Sequence, residues 1–164
     1  MFALTPRLAE AADKPALYRL LIEQGRALLE GEHDRVARAA NLAALIFHAL
    51  PGLNWCGFYF WNGRELVLGP FQGRPACTRI GWGRGVCGSA LAARRSLVVP
   101  EVSDFPGHIA CDPASRSEVV VPLWRGDAPF GVLDLDSPLP GRFDEEDRIG
   151  LEALAKLYLD GVAE

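Results

Sequence analysis

Apolar residues recur at helical spacing twice near the start of the chain and once near its end, and between those blocks the pattern changes to alternation. Asp13 followed by Lys14-Pro15 makes a helix start, after which Leu17, Leu20, Leu21, Leu28 and Leu29 fall at roughly helical intervals. Gly31 breaks the run. A second helix is expected over about His33 to Leu50, with Val36, Ala40, Ala43, Ile46, Phe47 and Leu50 on one stripe and Pro51-Gly52 as its stop. A last helix is expected from Asp144, carrying Ile149, Leu151, Leu154, Leu157 and Tyr158.

The middle of the chain reads as strands. NWCGFYFW (54–61) and RELVLGPF (64–71) are rich in β formers and flank Asn62-Gly63, a strong hairpin signal. LVVPEV (97–102), EVVVPLW (118–124) and PFGVLDLDS (129–137) follow, the last two joined by a short turn at Arg125-Gly126-Asp127. Helices around an antiparallel sheet make an α+β domain. The 164 residues suit one such domain, with 1–52 as N-terminal helices and 53–164 as sheet, pocket loops and C-terminal helix.

Strand side chains alternate between faces, which sorts the residues. In the first strand Cys56, Phe58 and Phe60 oppose Trp55, Tyr59 and Trp61. Further on, Leu133 and Leu135 oppose Val132, Asp134 and Asp136, while Val119 and Val121 oppose Glu118 and Val120. Each of three strands thus offers one apolar face for the helices and a second face bearing acids or aromatics. Aspartate is disfavoured in strands, so two in alternation inside an apolar run face either solvent or a ligand. If the second faces coincide, they line a pocket opposite the main helical core that holds Glu118, Asp134, Asp136, Trp55 and Tyr59. The glycine-dense stretch 69–95, with Cys77 and Cys87, reads as a cover over that pocket. Within it VCGSALAARR reads as a short helix that seats Cys87 near its N-terminus, a position that lowers a thiol's pKa. GWGRGVCG is no nucleotide fingerprint, since neither the strand-turn-helix glycine pattern nor a P-loop lysine is present.

The net charge of -4 supplies no basic stripe, so a nucleic-acid partner is not expected. The N-terminal MFALTPRLAEAADK carries Glu10 and Asp13 and no long apolar run, and reads as neither a signal peptide nor a membrane span. A cytoplasmic protein is expected. There the four cysteines, Cys56, Cys77, Cys87 and Cys111, point to catalytic, redox or metal-binding thiols rather than a disulfide framework. Cys111 draws notice because it sits in a polar loop, GHIACD, ahead of an apolar strand. By residue type Cys77, Cys87, His108 and Cys111 offer a zinc set, against which stands the absence of any Cys-x-x-Cys pair. His108 beside Cys111 could activate the thiol, but the short spacing favours a loop hydrogen-bonder.

NWCGFYFW, LVLGPFQGRPAC, GRGVCGSA, VVPEVSDFPGHIACDPASRSEVVVP and FGVLDLDS, in this order and spacing, resemble the free methionine-(R)-sulfoxide reductases, single-domain GAF proteins. The resemblance runs from about residue 54 to the end. It implies a GAF-like fold and reduction of the R epimer of free methionine sulfoxide by thiol chemistry. No bound cofactor is implied; an external thiol reductant, thioredoxin, is, and a homodimer stays open. Carried over residue by residue, it makes Cys111 the nucleophile, Cys77 the favoured resolving thiol and Cys87 a third cysteine able to pair with Cys77 or relay the disulfide. It makes Glu118, Asp134 and Asp136 the pocket acids and Trp55 and Tyr59 an aromatic wall around the substrate's methyl group. Cys56 departs from the family pattern and reads as a small core residue. The rival is a non-catalytic ligand-sensing GAF module, because the fold does not dictate catalysis.

The chemistry fits such a set. Sulfoxide reduction needs a soft nucleophile at sulfur while the departing oxygen gains a proton. A thiolate meets the first need. Clustered carboxylates meet the second, because like charges held close raise the pKa of one of them.

Overall fold

The structure, a computed structural model, describes residues 11 and 13–163. The reading of residues 1–10 as neither leader nor span lies outside them. No helix among the described residues is long and apolar enough to cross a membrane.

Two helices open the fold, α1 (Lys14–Leu28) and α2 (Arg35–Ala49). Asp13 caps α1 by accepting from Ala16 N, and Asp34 caps α2 by accepting from Val36 N and Ala37 N. The hairpin β1 (Trp55–Trp61) and β2 (Glu65–Gly73) follows, then the short β3 (Arg79–Gly81), α3 (Gly85–Ala93) and β4 (Leu97–Val99). The chain ends in β5 (Ser117–Arg125), β6 (Ala128–Ser137) and α4 (Glu145–Gly161), the last begun by a capping box of Asp144 and Asp147.

The six strands form one antiparallel sheet in the order β3-β2-β1-β6-β5-β4, so the architecture is α+β. Register turns the alternation into rows. Trp55 stands beside Asp136, which stands beside Glu118; on the next row of that face Gly57, Asp134 and Val120 align. On the other face Cys56, Leu135 and Val119 align, as do Phe58, Leu133 and Val121. That second face packs under α1, α2 and α4 and forms the larger core with Leu21, Leu42, Ile46, Leu151 and Tyr158. The first face packs a smaller core with Val86, Ala90 and Leu91 of α3. The sheet therefore separates a helical layer from a layer of α3 and loops.

Several expectations need correction. Val36, Ala40 and Ile149 are exposed. The buried arc of α2 runs instead through Ala39, Leu42, Ala43, Leu45 and Ile46, and it includes Arg38. Arg38 can be buried because its guanidinium donates to the carbonyls of Leu29, Glu32, Leu157 and Tyr158. A charged residue on a buried stripe misplaces any reading that scores apolar positions alone. The strand expected over 97–102 stops at Val99, since Pro100 has no N–H to donate, and 102–104 is a single 3-10 turn. β3 was not expected; three residues are too short for an alternation to show.

Candidate active site

The pocket is built by three rows of the sheet and two loop segments that close over them. Trp55, Tyr59, Glu118, Asp134 and Asp136 all line it, as do Cys87 from α3 and Cys111 from the loop before β5. It lies on the sheet face opposite the main helical core. Its cavity measures about 40 Å³, room for about three waters at roughly 10–15 Å³ each.

The covering segments are joined covalently, for Cys77 and Cys111 form a disulfide with their Cα atoms 5.4 Å apart. Each segment is also tied to β1 or to the residue that precedes it. Tyr59 OH donates to the Cys77 carbonyl at 3.0 Å, and the Trp55 indole N–H donates to the Arg74 carbonyl at 3.2 Å. The aromatic pair thus does more than form a wall, since it anchors the Cys77 segment; its rings stack at 5.8 Å, and Phe71 stacks on Trp55 at 5.3 Å. On the Cys111 side, Asn54 Nδ2 donates to Asp112 Oδ2 at 3.2 Å and to Ser115 Oγ at 3.0 Å. Asp112 folds its own turn by accepting from Ala114 N, and Asn54 N donates to the Asp136 carbonyl. Asn54, Asp112 and Ser115 were not singled out from the sequence. The Asp-Pro step at 112–113 is a turn signal, but the partner of such a turn is a tertiary fact.

Charge is concentrated at the base. Glu118 and Asp134 are buried, at 7% and 5% exposure. Burial raises the pKa of Glu118 well above the usual carboxylate range, and the charges of Asp134 and Asp136 add to the rise. Burial pushes Asp134 up to about 7. Asp136 is raised by burial and by Asp134, against which a hydrogen bond with Ser115 acts. These acids hold protons at a pH where solvated carboxylates do not.

Cys87 is the third residue of α3, yet its thiol does not gain the lowered pKa expected of that place. Its side chain is buried, Sγ lies 3.9 Å from Glu118 Oε1, and burial followed by the charges of Asp134 and Glu118 pushes the thiol upward. The helix end favours the thiolate by a modest amount and the desolvated acid neighbours outweigh it. Cys56 is fully buried in the apolar core on the other face. The zinc set considered from sequence is not assembled, because Cys77 and Cys111 are bonded to each other. His108 lines the pocket, and burial lowers its pKa, which favours the neutral ring.

Known proteins extend this picture. The GAF domain pattern matches residues 33–158. The free methionine-R-sulfoxide reductase of Escherichia coli is 47% identical over 142 residues, 87% of this chain and 86% of that protein. The structure of free methionine-R-sulfoxide reductase from Neisseria meningitidis in complex with its substrate superposes with a TM-score of 0.92 at 47% identity, covering 98% of this chain and 95% of that one. A Burkholderia vietnamiensis protein described as a candidate GAF sensor superposes with a TM-score of 0.89 at 55% identity, over 92% of this chain and 96% of that one. With the GAF pattern matched over most of its length, and a named reductase so similar along nearly all of both chains, this chain belongs to the GAF domain proteins and, among them, to the free methionine-R-sulfoxide reductase family.

Proposed function

We propose that the protein reduces free L-methionine (R)-sulfoxide to L-methionine, using Cys111 as the attacking thiol. The observation that carries this is the lining of one pocket by Cys111 and three carboxyls with raised proton affinities, Glu118 and Asp134 buried and Asp136 half-buried. Cys111 sulfur attacks the sulfoxide sulfur, the S–O bond breaks, and the oxygen leaves on Cys111 as a sulfenic acid while methionine departs. The acids supply the proton that the oxygen needs during transfer. Cys77 thiol then attacks the sulfenic sulfur, releases water and closes the Cys77–Cys111 disulfide, the bond seen here. Two electrons from an external dithiol reopen it, and a thioredoxin-type reductant in the cytoplasm fits that need. Cys87 stands ready to pair with Cys77 should the first disulfide be passed on.

The disulfide form fits the end of a turnover, and reduction of the bond uncouples the two covering segments for the next one. The carboxyl oxygens that line the pocket can accept hydrogen bonds from the ammonium of a free amino acid, which a peptide-bound residue lacks.

The test is anaerobic incubation of the purified protein with dithiothreitol and racemic free methionine sulfoxide. The expected result is loss of the R epimer alone, with little turnover of the same residue inside a peptide. Binding of the sulfoxide without any methionine formed would leave a sensor and overturn the reading.

A further inference from the structure

Among the described residues no lysine or arginine forms an ion pair with the acids at the pocket base. The ion pairs among the described residues use Asp144, Asp147, Glu65, Asp127, Glu101, Glu145, Glu152 and Asp160, and none joins Glu118, Asp134 or Asp136 to a lysine or arginine. Cys87 completes the cluster. One donor atom each from Cys87, Glu118 and Asp134 lies within 4.8 Å of the other two, and all three residues are buried. Asp134 Oδ1 is buried without a hydrogen-bond partner, on a side chain that lines the cavity. An unpartnered carboxylate oxygen at 5% exposure is costly unless something meets it.

We propose that Cys87 Sγ, Glu118 and Asp134 form a site for one zinc-class divalent cation in the disulfide form of the protein. The geometry is close to what such an ion takes. Zinc binds sulfur at about 2.3 Å and carboxylate oxygen at about 2.0–2.2 Å, so tetrahedral ligands stand about 3.5 Å apart. The 3.9 Å between Cys87 Sγ and Glu118 Oε1 closes to that with a small rotamer adjustment. Three protein donors leave a fourth position for water, and a cavity of about 40 Å³ has room for an ion and a water. A thiolate beside two carboxylates selects a borderline-soft ion over magnesium or calcium, which take oxygen alone. The double positive charge replaces the missing protein cation. A cation there covers the carboxyls that act on substrate, so it withholds the oxidised enzyme from the next cycle; that consequence rests on the reductase reading, whereas the site itself does not.

Cobalt(II) is the probe, added to the oxidised protein, in which Cys77 and Cys111 are unable to ligate as thiolates. The expected result is about one cobalt per chain with a thiolate-to-cobalt absorption band in the near ultraviolet, displaced by zinc and retained in Cys56→Ser. Cys87→Ser should lose the band. Glu118→Gln and Asp134→Asn should each weaken binding more than about tenfold, since changes one shell further out already cost that much. Should Cys87→Ser fail to fold, the two carboxyl variants carry the test. No thiolate band in the parent protein, or cobalt affinity unmoved by both carboxyl variants, overturns the site. Because the readout is binding, a protein inactive as a reductase still answers the question.

Discussion

The two faces of the sheet are made by the same strands, residue by residue in alternation, and they solve opposite problems. On the helical face Cys56, Leu135 and Val119 sit in a row and are held by packing with apolar neighbours. One residue along, on the other face, Trp55, Asp136 and Glu118 sit in a row, and the two acids are shielded from water enough to keep their protons. The first arrangement lowers free energy by burial. The second raises it, and keeps protons on carboxyls in the pocket that the loop cysteine Cys111 also lines. The helical face, backed by three helices, is what makes the strained face affordable.

If the pocket face is the reacting one, the largest effects come from its thiols. Cys111→Ser is expected to form no methionine even in a single turnover, whereas Cys77→Ser releases about one methionine per chain before recycling stalls. Rapid quench with equimolar substrate reads both. A full single-turnover yield from Cys111→Ser would transfer the attack to another thiol. Next come the acids. Glu118→Gln and Asp136→Asn are each expected to slow methionine release by about 10²–10⁴-fold with less change in KM. Since both serve one proton transfer, the double variant should lose much less than the product. Multiplicative losses would make them independent contacts instead.

What the sequence made legible follows the same division. Alternation alone separates Cys56, Phe58, Leu133 and Leu135 from Trp55, Tyr59, Asp134 and Asp136, because the period of a strand is two and nothing tertiary is needed to count it. The helix stripes were less legible. Arg38 can be buried because it donates to carbonyls over a hundred positions away, and Val36 and Ile149 are apolar without being covered. In the site, residue types could be read, but couplings could not. Cys87 at a helix N-terminus suggests an acidic thiol; only the sheet register, which brings Glu118 and Asp134 beneath it, reverses that sign. Likewise the bonds from Trp55, Tyr59 and Asn54 to the covering segments link strand positions to loops whose path has no periodic signature.

Adjacent residues of β6 sharpen the comparison, because they point to opposite faces. Leu135→Ala should cost about 2–5 kcal/mol through the cavity left in the helical core, a fall in Tm of roughly 5–15 °C. Asp134→Asn should act in the other direction above neutrality. Asp134 has a folded pKa of about 7, raised from the ordinary carboxylate range by burial. A raised pKa means that the folded state binds more protons than the unfolded one, so this group's contribution is full at low pH and is lost as pH rises through about 7. The amide stays neutral throughout. Asp134→Asn is therefore expected to melt a few degrees above the parent at pH 8, with the gap closing toward pH 4. Melting curves across that range decide it, and a variant less stable than the parent at pH 8 would mean that an ionised Asp134 is compensated in the folded protein.

The smallest effect expected is the one that separates the two free buried cysteines. Cys56 lies at 0% exposure in the apolar core, where a serine hydroxyl finds no acceptor, so Cys56→Ser should cost about 1–3 kcal/mol. Its distance from the reacting face predicts an unchanged rate of methionine release. Cys87→Ser places a hydroxyl where Glu118 Oε1 already stands within sulfur hydrogen-bond range, and a hydroxyl that gains an acceptor should cost less than about 1 kcal/mol. That variant should instead alter turnover, because the residue donates toward one of the acids that hold the transferred proton. Urea unfolding and single-turnover rates measured side by side thus predict a crossed pattern, stability lost without rate in one variant and rate lost without stability in the other. If both lose stability alone, Cys87 belongs with the packing residues, and the boundary between the two faces stops short of α3.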